Sequence, residues 1–187
     1  SGGGPTTVDP PLPPVEFLEP RADAIYLLFK SVPRKRNAQL ERMEMTDERA
    51  KPSTVVVDTY VDGATSMTSD DRYFYYFGGT KAKRTTQTVS RVPIAGGAET
   101  VLARLPEGAT ATALVRQGAR LYWATRTSED AGADSAAIMS LDLESDAGAP
   151  QTVAPIDAAV AHIASDATHL YLTTKPLDGT DNEGALL

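Results

Sequence analysis

Two histidines, one acidic run and two glycine pairs are the residues whose types invite a chemical reading. His162 precedes the apolar Ile163, so strand alternation turns the two side chains to opposite faces. With His169 the only other imidazole and no cysteine in the chain, a zinc site would have to borrow carboxylates from distant segments. Both histidines are therefore expected to be ordinary surface residues. Asp178-Gly179-Thr180-Asp181-Asn182-Glu183 places oxygen donors at alternating positions, a pattern that suits calcium. It lacks the remaining spacing of a twelve-residue calcium loop and is expected to be a solvated hairpin loop. Serine and aspartate are plentiful, yet no spacing fixes a Ser-His-Asp geometry. No nucleophile elbow, phosphate-binding glycine loop or zinc-helix motif occurs. Gly78-Gly79 and Gly96-Gly97 are expected at strand ends, in turns. No catalytic, cofactor-binding or metal-binding residue is assigned, no cofactor is expected, and the chain is not expected to be an enzyme.

Composition narrows the partners. The 187 residues carry a net charge of −7, with 41% hydrophobic and 23% charged residues, the balance of a folded domain. Nucleic-acid binding needs clustered Lys and Arg that displace counterions, so no nucleic-acid partner is expected. The short basic runs Arg34-Lys35-Arg36 and Lys81-Ala82-Lys83-Arg84 are expected in solvated loops. No apolar run approaches the ~18 residues of a membrane helix, so no membrane span is expected. Without cysteine there is neither a disulfide framework nor a thiolate site. Residues 1–14 are rich in Gly, Pro and Thr and read as a flexible tether. Such a segment suits a chain that follows a removed export or lipoprotein signal, and the expected location is extracytoplasmic: periplasmic, anchored to the outer membrane, or secreted.

The elements that hold these residues come from an internal repeat. Tyrosines recur at 26, 75, 122 and 171, separated by 49, 47 and 49 residues. Eight residues before each stands an apolar residue: Leu18, Met67, Leu114 and Ile163. A further strand begins at Leu40, Val89 and Ile138, each 49 residues after the last. Within a unit a short strand (65–68, 112–115, 161–164) leads through a polar turn into an aromatic strand. Asp70 and Asp166 suit that turn, because an Asp side chain bonds backbone two residues on. A variable loop follows (78–88, 127–135, 175–183), then a third strand (89–94, 138–143) and a fourth (54–58, 100–103, 152–154). Tyr73-Phe74-Tyr75-Tyr76-Phe77 leaves neither face of its strand fit for water, which implies sheets covered on both faces. Four antiparallel strands in each unit of about 40–50 residues match a β-propeller blade. The expected fold is all-β, with blades at 15–58, 63–105 and 110–156 and a partial fourth at 159–187.

Leu121-Tyr122-Trp123-Ala124-Thr125 followed by Ala137-Ile138-Met139-Ser140-Leu141-Asp142 resembles the blade signature of TolB-like and YWTD-like propellers. Tyr75-Tyr76-Phe77 followed by Val89-Ser90-Arg91-Val92-Pro93-Ile94-Ala95-Gly96-Gly97 is similar to it as well. The acid that closes Tyr-Trp-Thr-Asp is absent from every copy, where Phe29, Gly78, Thr125 and Thr174 stand. A secreted bacterial propeller of the TolB-like kind is the nearer resemblance. It implies a non-enzymatic binding or scaffold module for a protein, glycan or surface partner. The alternative is a divalent-metal-dependent, lactonase-like propeller hydrolase, whose metal would sit on the central channel. The innermost strands offer Glu16, Ser66, Thr112 and His162 there, of which only Glu16 is a good hard-metal ligand. The 49-residue step lands on Leu187, where the third strand of the fourth unit should start. The natural polypeptide is accordingly expected to continue, as part of a ring of about six to eight blades, or else to pair its open edge with another strand. Trp123 is expected to pack between blades.

Overall fold

The computed structural model describes residues 15–21, 24–29, 38–46, 49–50, 54–59, 66–80, 83–106, 108–128, 134–145 and 148–175. Among them every regular element is a β-strand and every strand pairing is antiparallel. No helix among these residues is long and apolar enough to cross a membrane.

The strands form consecutive meanders. The first sheet holds β1 (Val15–Pro20), β2 (Ala24–Phe29) and β3 (Ala38–Thr46). The two-residue β4 (Arg49–Ala50) folds back on the end of β3, and β5 (Thr54–Thr59) pairs along the rest of it. The second sheet runs β6 (Met67–Ser69), β7 (Tyr73–Thr80), β8 (Lys83–Pro93) and β9 (Thr100–Arg104). The third runs β10 (Ala109–Gln117), β11 (Arg120–Ser128), β12 (Asp134–Asp142) and β13 (Gln151–Ile156). The fourth pairs β14 (Ala159–Ser165) with β15 (Leu170–Lys175). The all-β expectation holds in this form.

Apolar residues lie between successive sheets, as the doubly apolar strands require. Tyr26 and Leu40 of the first sheet meet Phe74, Tyr76 and Val92 of the second. The opposite face of the second sheet, with Tyr75, Phe77 and Val89, meets Leu114, Leu121 and Trp123 of the third. Ala124 and Ile138 of the third then meet Val160 of the fourth. Period-two alternation thus sends Phe74 and Tyr76 one way and Tyr75 and Phe77 the other, and all four side chains are buried.

The sheets are also joined by side-chain hydrogen bonds at nearly constant sequence offset. Ser66 Oγ accepts from the Leu114 N–H at 2.7 Å and donates to its carbonyl at 3.1 Å, across 48 residues. Thr112 Oγ1 donates to the Val160 carbonyl at 3.0 Å, again across 48. Ser165 Oγ donates to the Arg116 carbonyl at 3.4 Å, across 49. The first strands of the first, third and fourth sheets each carry a register shift, at Val15/Phe17, Thr112/Val115 and Val160/His162. Such bulges re-aim side chains, and Ala113 takes a left-handed φ of 53° inside one. Replacing Ser66 with alanine should cost about 1–2 kcal/mol, since the Leu114 N–H loses its partner against a buried side chain. Urea unfolding of the variant checks this; an unchanged midpoint would show that water takes the serine's place.

Two local expectations need correcting. The segments 78–88 and 127–135 were expected to be loops, but β7 and β11 run on to Thr80 and Ser128, and β8 and β12 start at Lys83 and Asp134. Thr85, Thr86 and Thr88 explain the first extension, because β-branched residues favour extended backbone. It also moves Lys83 and Arg84 from a loop into a strand; Arg34, Lys35, Arg36, Lys81 and Ala82 lie outside the described residues. Gly78 and Gly79 likewise pair within the sheet, with Thr88 and Gln87. A Cβ at Gly78 would stand 3.0 Å from Thr88 Oγ1 and 3.2 Å from Glu99 Oε1, so this glycine serves close approach rather than a turn. Gly96, with φ of +83°, closes a turn by donating its N–H to the Pro93 carbonyl, and Gly97, with φ of +134°, follows it.

Candidate functional site

The polar turn between the first two strands of each sheet organises the most developed polar cluster. In the second sheet Asp70 Oδ1 accepts from the N–H groups of Arg72 and Tyr73 at 2.7 and 2.8 Å. Its Oδ2 accepts the Tyr75 hydroxyl at 2.7 Å. The fourth sheet repeats this bracket. Asp166 Oδ1 accepts from the N–H groups of Thr168 and His169 at 2.7 and 2.8 Å, and Oδ2 takes the Tyr171 hydroxyl at 2.6 Å. An aspartate that closes an Asx turn also faces the residue five positions on, because the hairpin brings that strand position back beside the turn.

The other two sheets carry a donor in the same column. Arg21 sends Nη2 to the Asp70 carbonyl at 2.9 Å and to Ser69 Oγ at 2.7 Å. Gln117 sends Nε2 to the Asp166 carbonyl at 2.7 Å. Each donor is 49 residues from the aspartate it reaches. Donor turns in the first and third sheets therefore grip acid turns in the second and fourth.

Burial separates the two brackets. Tyr75 is 2% exposed and Tyr171 is 42% exposed, because the third sheet covers Tyr75 and no described residue covers Tyr171 in that way. Burial opposes the charge on Asp70, but the Tyr75 hydroxyl, the two N–H groups and Arg116 outweigh it and hold the carboxyl below its usual range. The Tyr171 hydroxyl, then the N–H groups of Thr168 and His169, hold Asp166 far below that range. Burial, reinforced by the Asp70 carboxylate, pushes the Tyr75 hydroxyl well above the tyrosine range.

Beside Asp70, a cleft of about 330 Å³ opens between the second and third sheets. Asp70, Tyr73, Tyr75 and Arg91 line it from the second sheet, with Arg116 of β10 and Glu144, just past β12, from the third. Asp71 and Arg72 stand on the same wall. Arg116 Nε lies 3.5 Å from Asp70 Oδ2. The Arg91 guanidinium carbon sits 4.5 Å from the centre of the Tyr73 ring, a cation–π arrangement. Arg91 Nε is buried and has no hydrogen-bond partner. The cleft thus brings three guanidinium groups and three carboxylates around two tyrosines.

Among the described residues, Ser66, Thr112 and His162, singled out from sequence, do not gather in this cleft. Ser66 and Thr112 spend their hydroxyls on the backbone of the next sheet. His162 is exposed on β14, where it pairs with Thr173. Glu16 lies at the β1 bulge, and residues 178–183 fall outside the described residues. Among the described residues no group of three His, Asp or Glu side chains converges on one point. Thr168 Oγ1 and His169 Nδ1 are 2.7 Å apart, but the His169 side chain is 69% exposed. Asp166 approaches the same Nδ1, at 3.6 Å, so it cannot orient the ring from the opposite nitrogen as a catalytic triad requires.

Sequence reading missed the cleft and the aspartate–tyrosine brackets. The signal for the brackets was present in the Asp70/Tyr75 and Asp166/Tyr171 spacing. Arg91 and Arg116 carried none, since each becomes notable only through a neighbour brought close by folding. No protein-family model matches the chain, and no curated protein matches it.

Proposed function

We propose that the chain is a β-propeller-type binding or scaffold module of the TolB-like kind, acting outside the cytoplasm on a protein or glycan partner without catalysing a reaction. In this reading the four sheets are blades, the last of them partial, with 1–14 as the tether and 15–187 as the propeller body. The observation that carries it is the repeated inter-sheet grip: Arg21 on Asp70 and Gln117 on Asp166 at one offset of 49 residues, beside the serine and threonine bonds at 48 and 49. Side chains spent in this way fix successive sheets in a constant relation, which suits a rigid platform. The polar groups of the cleft lie at one such junction and offer a recognition surface built on strands.

The test is a comparison of binding with turnover on the full chain. Immobilised protein is expected to retain a subset of a peptide or glycan array saturably. With calcium or zinc added, it is expected to leave a panel of lactones unhydrolysed. Metal-dependent lactone turnover that follows the purified protein through gel filtration would overturn the reading in favour of the hydrolase. Fractionation of the producing cell addresses location, with the protein expected outside the cytoplasmic fraction.

A further inference from the structure

Two arginines that line the cleft between the second and third sheets, Arg91 and Arg116, each leave Nε without a hydrogen bond. Asp70 is the natural acceptor for the arginines, but Oδ1 is already held by two backbone N–H groups and Oδ2 by the Tyr75 hydroxyl. Arg116 consequently reaches Asp70 only as a 3.5 Å ion-pair contact, and its Nε makes no hydrogen bond. Arg91 is poorer still, since its Nε is buried without a partner and its cation is set against the Tyr73 ring. A buried donor left unmade is costly, and one in a native structure calls for an explanation. Contact with the Tyr73 ring restrains the guanidinium, so less of its freedom remains to be lost when an acceptor arrives.

We infer that the cleft between the second and third sheets binds a carboxylate, the side chain of a Glu or Asp in a partner protein, through Arg91 with Arg116 beside it. A planar carboxylate matches the fork of a guanidinium and accepts two bonds at once. A doubly charged phosphate fits less well, because Asp70, Asp71 and Glu144 line the same cleft and repel the second charge. A sugar acid fits less well on other grounds. Tyr73 holds Arg91 over one face and has the Tyr75 ring 6.2 Å away, so it is not an open platform for a sugar ring. The volume of about 330 Å³ accommodates one side chain with its neighbouring peptide groups, at the small end of ligand sites. This inference rests on the binding-module reading and names the chemistry of its partner.

The test is a titration of the full chain, followed by backbone amide NMR, with the blocked peptide acetyl-Gly-Glu-Gly-amide. Saturable shifts are expected at the amides of the 70–73 turn and at Arg91 and Arg116. The isosteric peptide with Gln in place of Glu should bind at least tenfold more weakly. Arg91→Gln should weaken the Glu peptide at least tenfold while leaving the unperturbed spectrum folded. Should Arg91→Gln not fold, Arg91→Lys decides: it keeps the charge, loses the fork and should still bind several-fold more weakly. Equal binding of the Glu and Gln peptides, or unchanged affinity in the arginine variants, overturns the inference. Tighter binding of glucuronate or inorganic phosphate than of the peptide overturns it too. If every carboxylate is ignored while the array still shows saturable binding elsewhere, this assignment fails and the binding-module reading stands.

Discussion

Replacing Trp123 with alanine is expected to destabilise the protein by about 3–5 kcal/mol, the scale of aromatic truncation in a packed core. Trp123 is fully buried on β11 and packs among Tyr75, Phe77 and Val89 of the second sheet and Leu114 and Leu121 of its own. Its removal opens a cavity between two sheets that are each held from the other side, so neither can move in to fill it. The indole Nε1 is buried without a hydrogen-bond partner. Trp123→Phe should therefore cost much less, about 1 kcal/mol, because the lost volume is partly offset by removing an unmatched donor. Chemical denaturation of the two variants side by side tests both statements. An alanine variant within about 1 kcal/mol of the parent, the range of surface substitutions, would show that the inter-sheet packing is wrong.

Asp70→Ala is expected to cost about 2–3 kcal/mol, more than any other single polar change proposed here. It uncaps two turn N–H groups, leaves the hydroxyl of the buried Tyr75 without an acceptor, and strips Arg116 of its ion-pair partner; a buried group left unmatched costs roughly 1–3 kcal/mol. Tyr75→Phe made in the Asp70→Ala background should recover part of that loss, since the stranded hydroxyl is then gone. The two substitutions share a contact and should not add. Asp166→Ala removes the same bonds from an exposed bracket and should cost less, because water can replace them.

The pH dependence of this pair has a definite sign. Asp70 in the folded chain has a pKa below the 3.8 of an unperturbed aspartate. Its carboxylate therefore adds stability that is fully present above about pH 4 and is lost as pH falls through the lowered value. As pH falls below about 4, the parent should lose stability more steeply than Asp70→Ala. Parallel acid transitions would mean that the bracket does not distinguish folded from unfolded chain.

Much of the layering was legible because it depends on residue type at fixed spacing. Five successive aromatics at 73–77 demanded cover on both faces, and two sheets supply it. The tyrosines at 26, 75, 122 and 171 each mark the second strand of a sheet. Strand length was less legible: the threonines before Val89 read as a polar loop by hydropathy, yet they extend β8 outward as a hairpin with β7. Gly78 read as a turn residue by type, although it lies within a strand where neighbouring side chains crowd the position of a Cβ.

The all-β character and the recurring strands follow from residue order alone, since local periodicity and turn chemistry act over a few residues and return wherever the pattern does. Which polar groups meet is settled by the fold. Whether Arg21 and Gln117 grip the next turn, whether Arg116 finds Asp70, and whether Arg91 Nε is left without an acceptor depend on contacts between separate sheets. Those contacts are set by how buried faces stack, and no spacing within one sheet encodes them. Ser66, Thr112 and His162 were visible in the sequence as channel candidates, and folding gives the first two backbone partners and leaves the third exposed. The arginines were among the least visible, and stacking two sheets makes a cleft of them.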